Sequence, residues 1–152
     1  MLAAQQALEL VRHGTAIGLG SGRAASAFVR ALGERVRAGL NVRGVPTSRA
    51  TAQLAQEMGI PLATLEEEPV LDITVDGADE VDPQLNLIKG YGAALVREKI
   101  VASASARLII LVGPEKLVPV LGARGIVPVE VVPFALSFCR RKLAELGLTP
   151  AP

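Results

Sequence analysis

Thr15-Ala16-Ile17-Gly18-Leu19-Gly20-Ser21-Gly22-Arg23 opens the stretch that decides the fold. A short apolar run meets a glycine-rich turn. A helical pattern then runs through Ala24, Phe28, Val29 and Leu32 to about Gly39, and a second apolar run follows at Val42–Val45. Strand, turn, helix and strand in that order make one β-α-β unit, with Ser21 placed to cap its helix. The same alternation continues on both sides. Leu2–Arg12 has apolar residues at helical spacing before Gly14, and Ser48–Met58 reads as a helix closed by Gly59. Further strands are expected at Pro61–Leu65, Leu71–Val75, Leu108–Val112 and Ile126–Val132, and further helices at Tyr91–Ser103 and Phe134–Leu146. The apolar runs lack polar alternation, as in strands covered on both faces. The expected architecture is therefore α/β: a mostly parallel, Rossmann-like sheet with helices on both faces.

Composition sets limits on function. The chain has 152 residues, half of them apolar, and a net charge of +1 with its basic residues dispersed. This suits a cored domain and gives no basic face for nucleic acid. A single cysteine, Cys139, excludes an internal disulfide, and with the single histidine, His13, it cannot build a usual zinc site. No apolar run approaches the roughly 18 residues needed to cross a bilayer, and no secretory segment is apparent, so a cytoplasmic location without membrane contact is the expectation.

Ligands of open parallel sheets bind beyond the carboxyl ends of the strands. Three loops fall there: Gly18–Gly22, Asp76–Glu80 and Gly113–Lys116. The first is not a dinucleotide fingerprint, because Arg23 stands where its third glycine would fall, and it has no Gly-Lys-Ser/Thr of a Walker loop. It reads either as an anion cradle or as a tight turn, and Arg23 either as a phosphate partner or as a surface charge. Val75-Asp76-Gly77-Ala78-Asp79-Glu80, Lys89-Gly90-Tyr91-Gly92-Ala93-Ala94 and Arg97-Glu98-Lys99-Ile100 gather acids and a lysine beside glycines. Two close carboxylates repel, so one titrates high, and a lysine lowers the pKa of a neighbouring acid.

At these residues the chain resembles ribose-5-phosphate isomerase, type A. The matching pieces are Gly18-Leu19-Gly20-Ser21, Val45–Thr51, Asp76–Glu80, Lys89–Ala94, Arg97–Ile100 and Pro128–Pro133, in the family's order over nearly the whole chain. The resemblance implies interconversion of D-ribose 5-phosphate and D-ribulose 5-phosphate through an enediolate, in the non-oxidative branch of the pentose phosphate pathway, with no cofactor. By position Glu98 looks like the base that moves a proton between C2 and C1. Asp76, Asp79 and Lys89 look like the groups that open the ring and steady the enediolate; which aspartate opens the ring stays open. Gly20, Ser21, Gly22, Thr47, Ser48, Gly90, Gly92 and Lys116 look like substrate contacts. Tyr91 departs from the pattern, standing where a glycine is usual, to stack on a sugar or to crowd it.

The family also carries a smaller α+β domain after the position of Pro133, so residues 1–132 are expected to form the isomerase domain and 133–152 the truncated start of the second. Apolar surface left bare by that shortening would call for a homo-oligomer, a dimer or tetramer. Two alternatives remain beside the isomerase: a non-catalytic sugar-phosphate-binding module, and a related phosphosugar isomerase.

Overall fold

A computed structural model describes residues 2–151. Met1 and Pro152, the outer bounds of the two expected segments, lie outside the described residues. Among the described residues six strands and five α-helices follow one another: α1 (Leu2–Leu8), β1 (Thr15–Leu19), α2 (Gly22–Arg37), β2 (Val42–Pro46), α3 (Arg49–Glu57), β3 (Leu71–Asp76), β4 (Glu80–Val81), β5 (Leu87–Ile88), α4 (Leu95–Ser103), β6 (Ser105–Ile110) and α5 (Leu136–Glu145). The central sheet has four strands in the order β2-β1-β3-β6, and every pairing in it is parallel. This is the α/β architecture expected from the alternation of apolar runs and helices.

The two faces of the sheet are covered unequally. Alternate side chains of a strand point to opposite faces. Ile17 and Leu19 of β1 and Ile73 and Val75 of β3 pack under α1, α2 and α3, with Phe28, Val29, Leu32, Leu54 and Ala55 filling the interface. Burying one such large apolar side chain stabilises the fold by about 1.5–3 kcal/mol. Val101 of α4 joins Ala16, Val45, Ala63 and Leu71 in a second, smaller cluster. β2 and β6 are the edge strands, and Leu108 in the middle of β6 is exposed.

Register brings the strand ends level. Leu19 lies beside Pro46 and Val75, and Asp76 beside Ile110. The loops after β1, β2, β3 and β6 therefore leave from one edge. From β1 the chain moves outward to β2; from β3 it moves the other way to β6. The crevice between the ends of β1 and β3 is thus the switch point of the sheet, where ligands of such folds bind.

Several local expectations need correction. Pro61–Leu65 is not a strand: Leu62 makes only one parallel bridge to Gly44, because Pro61 has no N–H to extend the ladder. Ile126–Val132 is not a strand either. Pro128 interrupts its donors, and the segment braces the start of α4, where Glu130 accepts the Val96 N–H at 2.7 Å. The helix expected from Tyr91 begins at Leu95, since Gly90 (φ 120°) and Ala93 (φ 52°) are in left-handed conformations that break the helical path. The helix expected to reach Arg12 ends at Leu8. Ser21 stands at the N-cap position of α2 but its side chain makes no capping bond. Ser48 does cap α3, accepting the Thr51 N–H at 3.1 Å, a contact worth about 1 kcal/mol. Pro114–Lys116 and Pro133–Ala135 form single 3₁₀ turns, and α5 buries none of its side chains.

Candidate active site

Gly20 sets how closely β1 and β3 meet. A Cβ on this residue would stand 2.6 Å from the Asp76 Cα and closer still to its carboxylate, so any larger residue forces the crevice apart. Across that contact the Ser21 N–H donates to Asp76 Oδ1 at 3.1 Å, and the Gly77 N–H donates to the same oxygen at 2.8 Å. Gly22 then takes a φ of 88°, a left-handed turn that suits glycine, and α2 begins.

Asp76 is 1% exposed, at the last position of β3. Its Oδ2 pairs with Lys89 Nζ at 3.0 Å, and Glu98 Oε2 pairs with the same ammonium at 3.0 Å. The third partner of Lys89 is the Gly77 carbonyl, at 2.5 Å. Lys89 comes from the end of the β4–β5 hairpin, and Glu98 from the first turn of α4 with only 6% of its surface exposed. Three separate elements thus bring two carboxylates to one ammonium. Burial pushes the Glu98 carboxyl above its ordinary value of 4.5. The nearby charges of Asp76 and Asp79 push the same way, and Lys89 opposes them. Asp79 is half-buried beside the group and accepts the Tyr91 N–H at 3.1 Å.

The loops after β1 and β2 supply hydroxyls. Ser21 Oγ lies 2.8 Å from both Thr47 Oγ1 and Ser48 Oγ, and 3.2 Å from Thr51 Oγ1. Thr47 is fully buried and donates to the Leu19 carbonyl at 3.1 Å. It stands behind Ser21, not on the open surface. Thr51 belongs to the same cluster and was not singled out in the sequence; its N–H is the donor that Ser48 Oγ accepts.

These loops enclose a cleft of about 830 Å³, within the range of small-molecule sites. Of the residues expected from the sequence, Ser21, Gly22, Ser48, Asp79, Lys89, Gly90, Gly92, Glu98 and Lys116 line it. Gly20, Thr47 and Asp76 do not; they lie behind the lining and support it. Arg23 and Ser26 line it as well, from the first turns of α2, which places the Arg23 charge at the cleft. Tyr91 neither stacks nor crowds there: it is outside the lining, and its hydroxyl donates to the Ile126 carbonyl at 2.7 Å. Among the described residues no group of three or more His, Cys, Asp or Glu side chains is arranged to hold a metal ion.

The model of the family "Ribose 5-phosphate isomerase A (phosphoriboisomerase A)" matches residues 43–151. The chain belongs to the ribose 5-phosphate isomerase A family. It is 56% identical over 145 residues to the ribose-5-phosphate isomerase A of Parvibaculum lavamentivorans, covering 95% of this chain and 62% of that protein. The counterpart in Bradyrhizobium diazoefficiens is 59% identical, with 93% of this chain and 58% of that protein covered. The chain therefore spans about six tenths of the length of these curated relatives. A solved D-ribose-5-phosphate isomerase in complex with phospho-erythronic acid superposes with a TM-score of 0.91 at 42% identity, covering 96% of this chain and 65% of that one. Over the shared region the family's fold is thus the fold of this chain.

Proposed function

We propose that this chain catalyses the interconversion of D-ribose 5-phosphate and D-ribulose 5-phosphate. The observation that carries the reading is the shared ammonium: Asp76 and Glu98 each lie 3.0 Å from Lys89 Nζ at the wall of a sugar-sized cleft. A buried carboxylate with a raised pKa is suited to take a proton near neutral pH and to return it. Glu98 removes the C2 proton of the open-chain aldose, and the electron pair moves into the C1 carbonyl to give an enediolate. The same carboxyl then delivers its proton to C1 while the hydroxyl proton on O2 passes to O1, leaving the C2 carbonyl of the ketose. One base serves both carbons when the enediolate is cis.

Lys89 has a donor for the developing oxyanion only if one of its three acceptors lets go. Protonation of Glu98 supplies that release. As the carboxylate becomes neutral its attraction for the ammonium falls, just as negative charge appears on the substrate oxygen. A donor so placed is worth roughly 3–4 kcal/mol to the transition state. Asp79 lines the cleft, whereas both oxygens of Asp76 are already engaged, so Asp79 is assigned to ring opening and Asp76 to holding Lys89. Ser21 and Ser48 contact substrate hydroxyls or phosphate, with Thr47 behind them. Gly90 and Gly92 let the backbone approach, and Lys116 with Arg23 meets the phosphate. The phospho-erythronic acid held by the solved relative is a sugar-acid phosphate of similar size, which supports this substrate class.

The reading includes a homo-oligomer, supported by exposed Val120, Ile126, Val132, Phe134 and Phe138. It divides the chain into an isomerase domain, 1–132, and the first part of a second domain after it. It places the chain in the cytoplasm, as its free Cys139 suits. The test is ketose formation from ribose 5-phosphate by the parent chain and by Glu98→Gln. A loss of about 10²–10⁴-fold with saturable substrate binding retained is expected. Equal turnover by the two would remove Glu98 from the reaction, and no turnover by the parent would reject the activity.

A further inference from the structure

Glu80 ends the acid run that begins at Asp76, yet the proposed reaction has no use for it. Its side chain is 1% exposed, among the most deeply buried in the molecule. Taking a carboxylate out of water costs several kcal/mol unless its oxygens find donors. Here both do. Oε2 accepts the Gly122 N–H at 2.6 Å, and Oε1 accepts the Arg124 N–H at 2.7 Å. The donors lie on a loop 42 and 44 residues downstream, so the acid ties the β4–β5 hairpin to a distant turn. The next link is a side chain: Arg124 Nη1 donates to the Glu115 carbonyl at 2.8 Å.

Glu115 precedes Lys116 in the 3₁₀ turn Pro114–Lys116, which presents Lys116 at the cleft. On the far side of that turn the Val118 N–H donates to the Val81 carbonyl at 2.9 Å, and Val81 is the neighbour of Glu80 in β4. The turn is therefore tethered twice to the hairpin that also delivers Lys89. Lys116 forms no ion pair among the described residues, so its place is set by this backbone frame and not by a carboxylate partner.

We propose that Glu80 and Arg124 are positioning residues that fix Lys116 against the phosphate of the substrate. This rests on the reading of the cleft as a sugar-phosphate site. A carboxylate suits the task because it accepts twice and donates nothing. In Glu80→Gln an amide N–H₂ would face one of the two backbone donors, and the loop would have to shift. Arg124→Ala removes only the link to Glu115 and leaves both backbone bonds to Glu80 in place, so it probes the strut without disturbing the buried acid.

The experiment is a double-mutant cycle. KM and kcat for ribose 5-phosphate are measured in the parent, Arg124→Ala, Lys116→Ala, the double variant and Glu80→Gln. Arg124→Ala is expected to raise KM about tenfold with kcat held within about twofold, since a displacement of a positioning contact weakens binding of the group it holds. That increase should vanish when Lys116 is already alanine. An unchanged KM, a fall in kcat alone, or effects of Arg124→Ala and Lys116→Ala that simply add would overturn the proposal. Should the parent chain make no ribulose 5-phosphate, the activity falls but the strut is still decided, by titrating each variant with inorganic phosphate and following the unfolding temperature. A phosphate-induced rise lost in both Lys116→Ala and Arg124→Ala supports it, and a rise kept in Arg124→Ala overturns it.

Discussion

Glu98 is the residue on which the proposed reaction turns, and its surroundings pull its charge in opposite directions. It is buried, which disfavours charge. It faces two aspartates, which disfavours charge further. It touches Lys89, which favours it. The net displacement is upward from 4.5. A general base must be ionised in the free enzyme, so the acid limb of kcat/KM is expected to lie above pH 4.5. The sign for stability follows from the same shift. Between the ordinary value and the raised one the folded chain holds more of this proton than the unfolded chain, so the contribution of Glu98 to stability falls as pH rises through that window. A pH series of kcat/KM checks the first point, and a limb at or below 4.5 would contradict it. That Asp76, Asp79, Glu98 and Lys89 come together was legible in the sequence because they sit in dense, closely spaced motifs. Thr47 was not legible as a buried support: a hydroxyl after a strand looks the same whether it faces a ligand or the carbonyl of the neighbouring strand. Arg23 was undecided for a similar reason, since helix phase alone does not say where the cleft wall runs.

At the scale of elements, the parallel strands were readable from their apolar runs, and the helices from their spacing and stop residues. The β4–β5 hairpin was not. Its strands have two residues each, too short for any period to show. It is fixed instead by its loop. Asp82 Oδ1 accepts the N–H groups of Gln84 and Asn86 at 2.9 and 2.8 Å, and Leu85 is held in a left-handed conformation with a φ of 63°. An exposed leucine in that conformation costs about 1–2 kcal/mol of strain and buries little in return. Leu85→Gly relieves the strain but loses more chain entropy on folding. The net expectation is a gain of about 0.5–1 kcal/mol in urea unfolding with turnover unchanged. A loss of stability would show that Leu85 makes a contact that the hairpin needs. Pro61–Leu65 and Ile126–Val132 were misread as strands because apolar runs satisfy periodicity without regard to whether a neighbour is free to pair. Proline in each run removes a donor where the ladder would need one.

The whole molecule carries its site on one edge of the sheet and its bare apolar surface elsewhere, along residues 117–148 and the outer side of β6. Phe134 is fully exposed, and Val120, Ile126, Val127 and Val132 are each more than half exposed. Exposed apolar side chains in such number are the mark of an interaction face. Sedimentation at micromolar concentration is expected to give a mass of at least two chains, and a monomer across the concentration range would remove the homo-oligomer from the account. The family resemblance anticipated bare apolar surface, but not its position, because burial depends on what lies across from each side chain. The catalytic edge has a more direct test. Ribose 5-phosphate is incubated with the chain in D₂O, and deuterium at C1 of the ribulose 5-phosphate formed is followed by NMR. Proton transfer through Glu98 predicts deuterium at one C1 position with the parent chain and no label above background with Glu98→Gln. Labelling by Glu98→Gln at the parent rate would contradict it.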